Sequence, residues 1–111
     1  MDKWAILHQE AQLAAIEERS YERPQLIFKH STRCGISSQA QHVLDQATAD
    51  LQGQVDLYYL DLIAYRSISN LVADRFGIPH QSPQVIVVKD GKVVHQASHF
   101  SIAPTKILEA V

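Results

Sequence analysis

Leu26-Ile27-Phe28-Lys29-His30-Ser31-Thr32-Arg33-Cys34-Gly35-Ile36-Ser37 is the stretch from which the rest of the chain can be ordered. Its apolar opening, within Gln25 to Lys29, has the length of a buried strand, and the polar residues His30 to Arg33 form a loop. Beyond Cys34, Ala40, Val43, Leu44, Ala47 and Leu51 recur at helical offsets, predicting one amphipathic helix from near Gly35 to a stop at Gly53. Cys34 therefore stands where a strand gives way to a helix. Unpaired backbone N–H groups and the positive end of the helix dipole favour an anion at such a point. Lys29, His30 and Arg33 precede it closely and add positive potential, which favours a reactive thiolate.

Toward the N-terminus, Trp4 to Leu7 reads as a short strand and Gln9 to Arg19 as a helix ended before Pro24. On the other side, Gln54 to Leu60 alternates as a strand. The apolar stripe Ile68, Leu71, Val72 and Phe76 predicts a helix closed by Gly77-Ile78-Pro79. Val85 to Val88, the pair Asp90-Gly91 and Lys92 to Gln96 form a hairpin, since Asp-Gly suits a type I′ turn. Pro104 opens a last helix through Val111. Alternating strands and helices followed by a hairpin define an α/β chain with a central mixed sheet of four or five strands, flanked by helices.

The 111 residues fit a single domain, 1–111, with no linker or internal repeat. Ten Lys and Arg against 12 Asp and Glu leave a formal charge of −2, so no basic field is available for nucleic acid or an anionic membrane. No apolar run approaches a membrane span, and Met1-Asp2-Lys3-Trp4 does not resemble a signal peptide, so the expected location is cytoplasmic. One cysteine excludes an internal disulfide and a multi-cysteine zinc cluster. The six histidines show no His-x-x-x-His spacing, and no metal site is expected.

In Cys34-Gly35-Ile36-Ser37 a hydroxyl occupies the place of the second thiol in a Cys-x-x-Cys pair. Ser37 donates a hydrogen bond but resolves no disulfide, so Cys34 must exchange with a thiol from outside. The competing reading is a buried cysteine that acts as a small hydrophobe.

Phe28 to Ser37, Tyr58-Tyr59-Leu60, Ser69-Asn70, His80-Gln81-Ser82-Pro83-Gln84 and Ala97-Ser98-His99 together resemble the YtxJ family of monothiol bacilliredoxins, from about Leu26 to Ile102. The resemblance implies a thioredoxin-like fold, an oxidoreductase with Cys34 as attacking sulfur, and no permanently bound cofactor. It further implies bacillithiol as co-substrate and bacillithiolated client proteins as partners. Around the sulfur it brings Lys29, His30, Thr32, Arg33, Gly35, Ser37, Ser82 and Pro83, with His80 and His99 farther out. It also gives Pro83 the role of a cis-proline facing the cysteine, leaving the Ser82 carbonyl free for a docked thiol. The family usually has Pro where this chain has Gly35. Two alternatives stay open: an iron–sulfur carrier, since Cys34-Gly35-Ile36-Ser37 is similar to the Cys-Gly-Phe-Ser motif of monothiol glutaredoxins, and a redox-inert adaptor.

Overall fold

The computed structural model describes all 111 residues. Along the chain come β1 (Ala5–Ile6), α1 (Ala11–Arg19), β2 (Gln25–His30), α2 (Gly35–Gln46), α3 (Thr48–Gln52), β3 (Asp56–Asp61), α4 (Arg66–Phe76), β4 (Gln84–Lys89), β5 (Lys92–Ser98), a 3-10 turn (His99–Ser101) and α5 (Pro104–Ala110). The strands form one five-stranded sheet in the order β1-β3-β2-β4-β5. β1 and β2 run parallel to β3, while β4 is antiparallel to both β2 and β5.

Strand alternation decides what each face buries. Leu26 and Phe28 point with Val85 and Val87 into one layer, beneath Ala40 and Leu44 of α2, Leu51 of α3 and Ile107 of α5. Ile27, Ile86 and Val88 point the other way, against Leu13 and Ile16 of α1 and Ile68 and Val72 of α4. β2 and β4 are thus apolar on both faces because both faces are covered. Each fully buried aliphatic side chain contributes about 1.5–3 kcal/mol through burial. Phe28 also meets the edge of Trp4 and of Tyr59, each with ring centroids 6.2 Å apart. Truncating it to Ala would cost about 3–5 kcal/mol.

Two boundaries follow from glycine. Gly77 caps α4 at φ 66°, and the Asp90-Gly91 turn has φ 53° and 77°, as a type I′ hairpin requires. At Gly91 a Cβ would also fall 2.2 Å from the hydroxyl end of the exposed Tyr21 side chain, which would have to swing aside, while the positive φ is what demands glycine there.

The single helix expected from Gly35 to Gly53 is instead two. α2 ends at Ala47, whose φ −96° and ψ 5° leave the helical region, and α3 starts afresh at Thr48. Thr48 Oγ1 donates to the Leu44 carbonyl and accepts the Trp4 indole N–H at 3.0 Å, a tertiary tie that holds the break. Val43, placed on the buried stripe by its spacing, is 38% exposed. The first strand is also shorter than Trp4 to Leu7: those two residues flank β1 and are buried themselves.

Candidate functional site

The ends of β2 and β3, the starts of α2 and α4, and the loop before β4 meet at one end of the sheet. Cys34 is the N-cap residue of α2, extended at φ −117° and ψ 123°. Its N–H donates to the Ser31 carbonyl at 3.2 Å, and its own carbonyl accepts the Ser38 N–H at 3.0 Å as the first bond of the helix. The thiol is half-buried and free. The first turn of α2 carries no acidic residue, so nothing opposes negative charge on the sulfur from within the helix. Thr32, Arg33 and Gly35 are exposed around it.

Ser37 is turned away from this role. It is fully buried, and its Oγ lies 2.9 Å from the Ser31 N–H and 2.6 Å from Nδ1 of His30. The backbone N–H donates to Oγ, which leaves the hydroxyl proton for the imidazole. The sequence placed that hydroxyl at the sulfur; the structure spends it in tying the Cys34 loop to the end of β2. His30 departs from expectation as well. Read as a loop residue and a possible cation beside the thiolate, it is the last residue of β2 and buried between Phe28 and Tyr59, at centroid distances of 5.6 and 5.7 Å. Burial lowers its pKa below the ordinary imidazole value, against a partial opposing pull from Asp61. The ring is neutral and receives the Ser37 proton.

Lys29 faces the opposite side of β2, toward α4. It is 0% exposed, and its ammonium donates to the Ser69 carbonyl at 3.1 Å and to Nδ1 of His80 at 3.2 Å. Burial lowers its pKa to about 8. The cation that the sequence set beside Cys34 is therefore committed to the loop after α4. That loop is held a second time by Gln84, whose amide donates to the Pro79 carbonyl at 3.2 Å and accepts the Gln81 N–H at 3.4 Å.

The Ser82-Pro83 peptide bond is cis. Pro83 immediately precedes Gln84, which pairs with Lys29, so it stands at the same end of the sheet as His30. Its carbonyl accepts the His99 N–H at 3.1 Å, and His99 holds φ 54° to give that bond. Beside the start of α2, Ile36 and Val43 line a shallow groove with Phe100. Phe100 is 76% exposed and lay outside every motif the sequence offered. No three His, Cys, Asp or Glu side chains converge as a metal site would need.

This sheet order, with a cysteine capping the helix after β2 and a cis-proline before β4, defines a thioredoxin fold. Solved structures agree. A proposed oxidoreductase with a thioredoxin fold superposes with a TM-score of 0.85 at 24% identity, covering 98% of this chain and 94% of that one. The thioredoxin Mala s 13 of Malassezia sympodialis gives 0.73 at 16%, covering 96% and 86%. Thioredoxin of Fasciola hepatica gives 0.68 at 20%, covering 95% and 93%. The family profile described as monothiol bacilliredoxin BrxC matches residues 5–107, and the chain belongs to that family.

Proposed function

We propose that Cys34 removes bacillithiol from mixed disulfides on client proteins in the cytoplasm. The observation that carries this reading is the pairing of a free thiol at the helix N-cap with a Ser37 hydroxyl bound to His30 and Ser31: no second thiol is available within the chain. The Cys34 thiolate attacks the bacillithiol sulfur of the client disulfide. A Cys34–bacillithiol disulfide forms, and the client sulfur leaves as a thiolate and takes up a proton. Electrons balance, because one disulfide replaces another. A second, external thiol then attacks the bacillithiol sulfur of the adduct and frees Cys34. The family assignment supports bacillithiol as the small thiol.

Single-turnover mass spectrometry with a bacillithiol-capped client tests the reading. One bacillithiol should appear on Cys34 as the client thiol is released, and Cys34→Ser should abolish transfer. Absence of the adduct, or transfer by Cys34→Ser, would overturn it. Equal rates with a glutathione-capped client would remove bacillithiol as the preferred thiol. A coloured protein that loses its absorption in Cys34→Ser would instead favour cluster carriage.

A further inference from the structure

Lys29 carries a charge into the interior with no carboxylate to meet it. Its two partners are a carbonyl and an imidazole nitrogen, and it takes part in no ion pair. Arg66, at the start of α4, lies near enough to His80 to repel its protonated form and is equally without an ion-pair partner. The acid at this end of the sheet, Asp61, spends Oδ1 on the Ile63 and Ala64 N–H groups. In a chain of net charge −2, two cations thus gather around the His80 imidazole at one end of the sheet, neither of them in an ion pair.

The imidazole among them is built in rather than loosely exposed. Nδ1 of His80 accepts from Lys29 and is 3.4 Å from the Ser69 hydroxyl, and Gln84 pins the backbone at Pro79 and Gln81 on either side. An imidazole that accepts at Nδ1 carries its proton on Nε2. His80 is solvent-exposed, so Nε2–H is the donor it offers outward, strengthened by the ammonium behind it. Fixing the orientation of one exposed imidazole has engaged residues from β2, α4 and β4, and such preorganisation suits recognition of a ligand.

We infer that His80 and Lys29 form a carboxylate-binding subsite for the small-thiol half of the mixed disulfide, with His80 Nε2–H as the contact and Lys29 as its positioning residue. The inference rests on the thiol-exchange reading above and adds where the small thiol is held. Cys34 caps α2, which covers one face of β2, and His80 lies in the loop after α4, which covers the other, so a small thiol bound to both would need charged groups several bonds from its sulfur to span the strand end. Bacillithiol, with carboxylates remote from its sulfur, has that form.

The test separates binding from chemistry. S-methyl bacillithiol, which cannot exchange, and its dimethyl ester are titrated calorimetrically into the full chain. The acid should bind about tenfold more tightly than the ester, as one charge-assisted hydrogen bond implies. His80→Ala should remove that preference while leaving ester binding unaltered, and Lys29→Met should remove it as well, with a cooperative melting transition in each variant confirming that the chain is folded. In exchange assays His80→Ala should raise KM for the bacillithiol-capped client about tenfold and leave kcat within about twofold. Equal binding of acid and ester by the wild type would overturn the subsite, as would a preference that survives His80→Ala. A wild type that prefers the acid yet forms no Cys34 adduct would retain the subsite while the exchange reading failed.

Discussion

Ser37 Oγ lies 2.6 Å from Nδ1 of His30, and through that contact the residue in the resolving position of the motif braces the strand beneath the cysteine. Ser37→Ala would leave a buried imidazole nitrogen and the Ser31 N–H without partners. The expected loss is about 2 kcal/mol, since each unsatisfied buried group costs about 1–3 kcal/mol and relaxation recovers part of it. Chemical denaturation measures this directly. Single-turnover transfer should be slowed but still proceed to the Cys34 adduct, because the hydroxyl takes no covalent part.

Burial of two imidazoles makes acid destabilising. Burial lowers the His30 pKa, and burial together with Lys29 and Arg66 lowers that of His80. The unfolded chain therefore binds protons at these rings more readily than the folded one. Their contribution to stability is complete above the ordinary imidazole value of about 6.5 and is lost as pH falls toward the lowered values. Imidazole NMR titration should find both rings titrating below free histidine. A ring titrating above that value would contradict the neutral assignment.

Much of the fold was legible because its signals are local. The apolar runs of β2 and β4, the stripe on α4, Gly77 and Asp90-Gly91 each act within a few residues, and all became the elements they predicted. The break at Ala47 was not legible, because a tie between Trp4 and Thr48, 44 residues apart, accompanies it. The site divides in the same way. Cys34 at a helix start follows from sequence spacing, whereas the direction of a side chain around the end of β2 does not. Lys29 and His30 are neighbours, yet alternation sends one toward α4 and the other toward α2, so two residues read together as cations near the sulfur do different work. Separated motifs carried more than their local reading: Lys29, Ser69, His80 and Gln84, scattered through the sequence, converge on one loop.

Lys29 gives stability an alkaline signature. Burial lowers its pKa from 10.5 to about 8, so the folded chain releases this proton before the unfolded chain does. Stability should be lowest in this respect below pH 8, rise up to about 10.5, and level off above, by at most about 3 kcal/mol. Tyr58 and Tyr59, whose phenols burial pushes up, act in the opposite direction at the top of that range. The readout is therefore the difference between wild type and Lys29→Met. Denaturant midpoints from pH 7 to 10.5 should rise relative to the variant; parallel curves would show that the ammonium is not desolvated.

Gly35 marks the chain's departure from the family pattern, and the structure shows no steric reason for it. A Cβ at this position would meet nothing within 4 Å. Gly35 is the first residue of α2, where proline is preorganised and the lost N–H has no helical partner. Cys34, at φ −117° and ψ 123°, already holds the extended conformation that a following proline requires. Gly35→Pro should therefore fold unchanged and gain about 0.4–1 kcal/mol by restricting the unfolded chain. Chemistry should respond in the other direction. The substitution removes the backbone donor that directly follows the sulfur-bearing residue, one of the N–H groups that stabilise negative charge at the helix start. Alkylation of Cys34 by iodoacetamide at pH 7 should slow by roughly twofold to fivefold, in line with the size of helix-terminus effects. Thermal melts and alkylation rates on the same samples check both halves. A less stable Gly35→Pro chain would refute the steric argument, and unchanged or faster alkylation would show that the Gly35 N–H does not serve the sulfur.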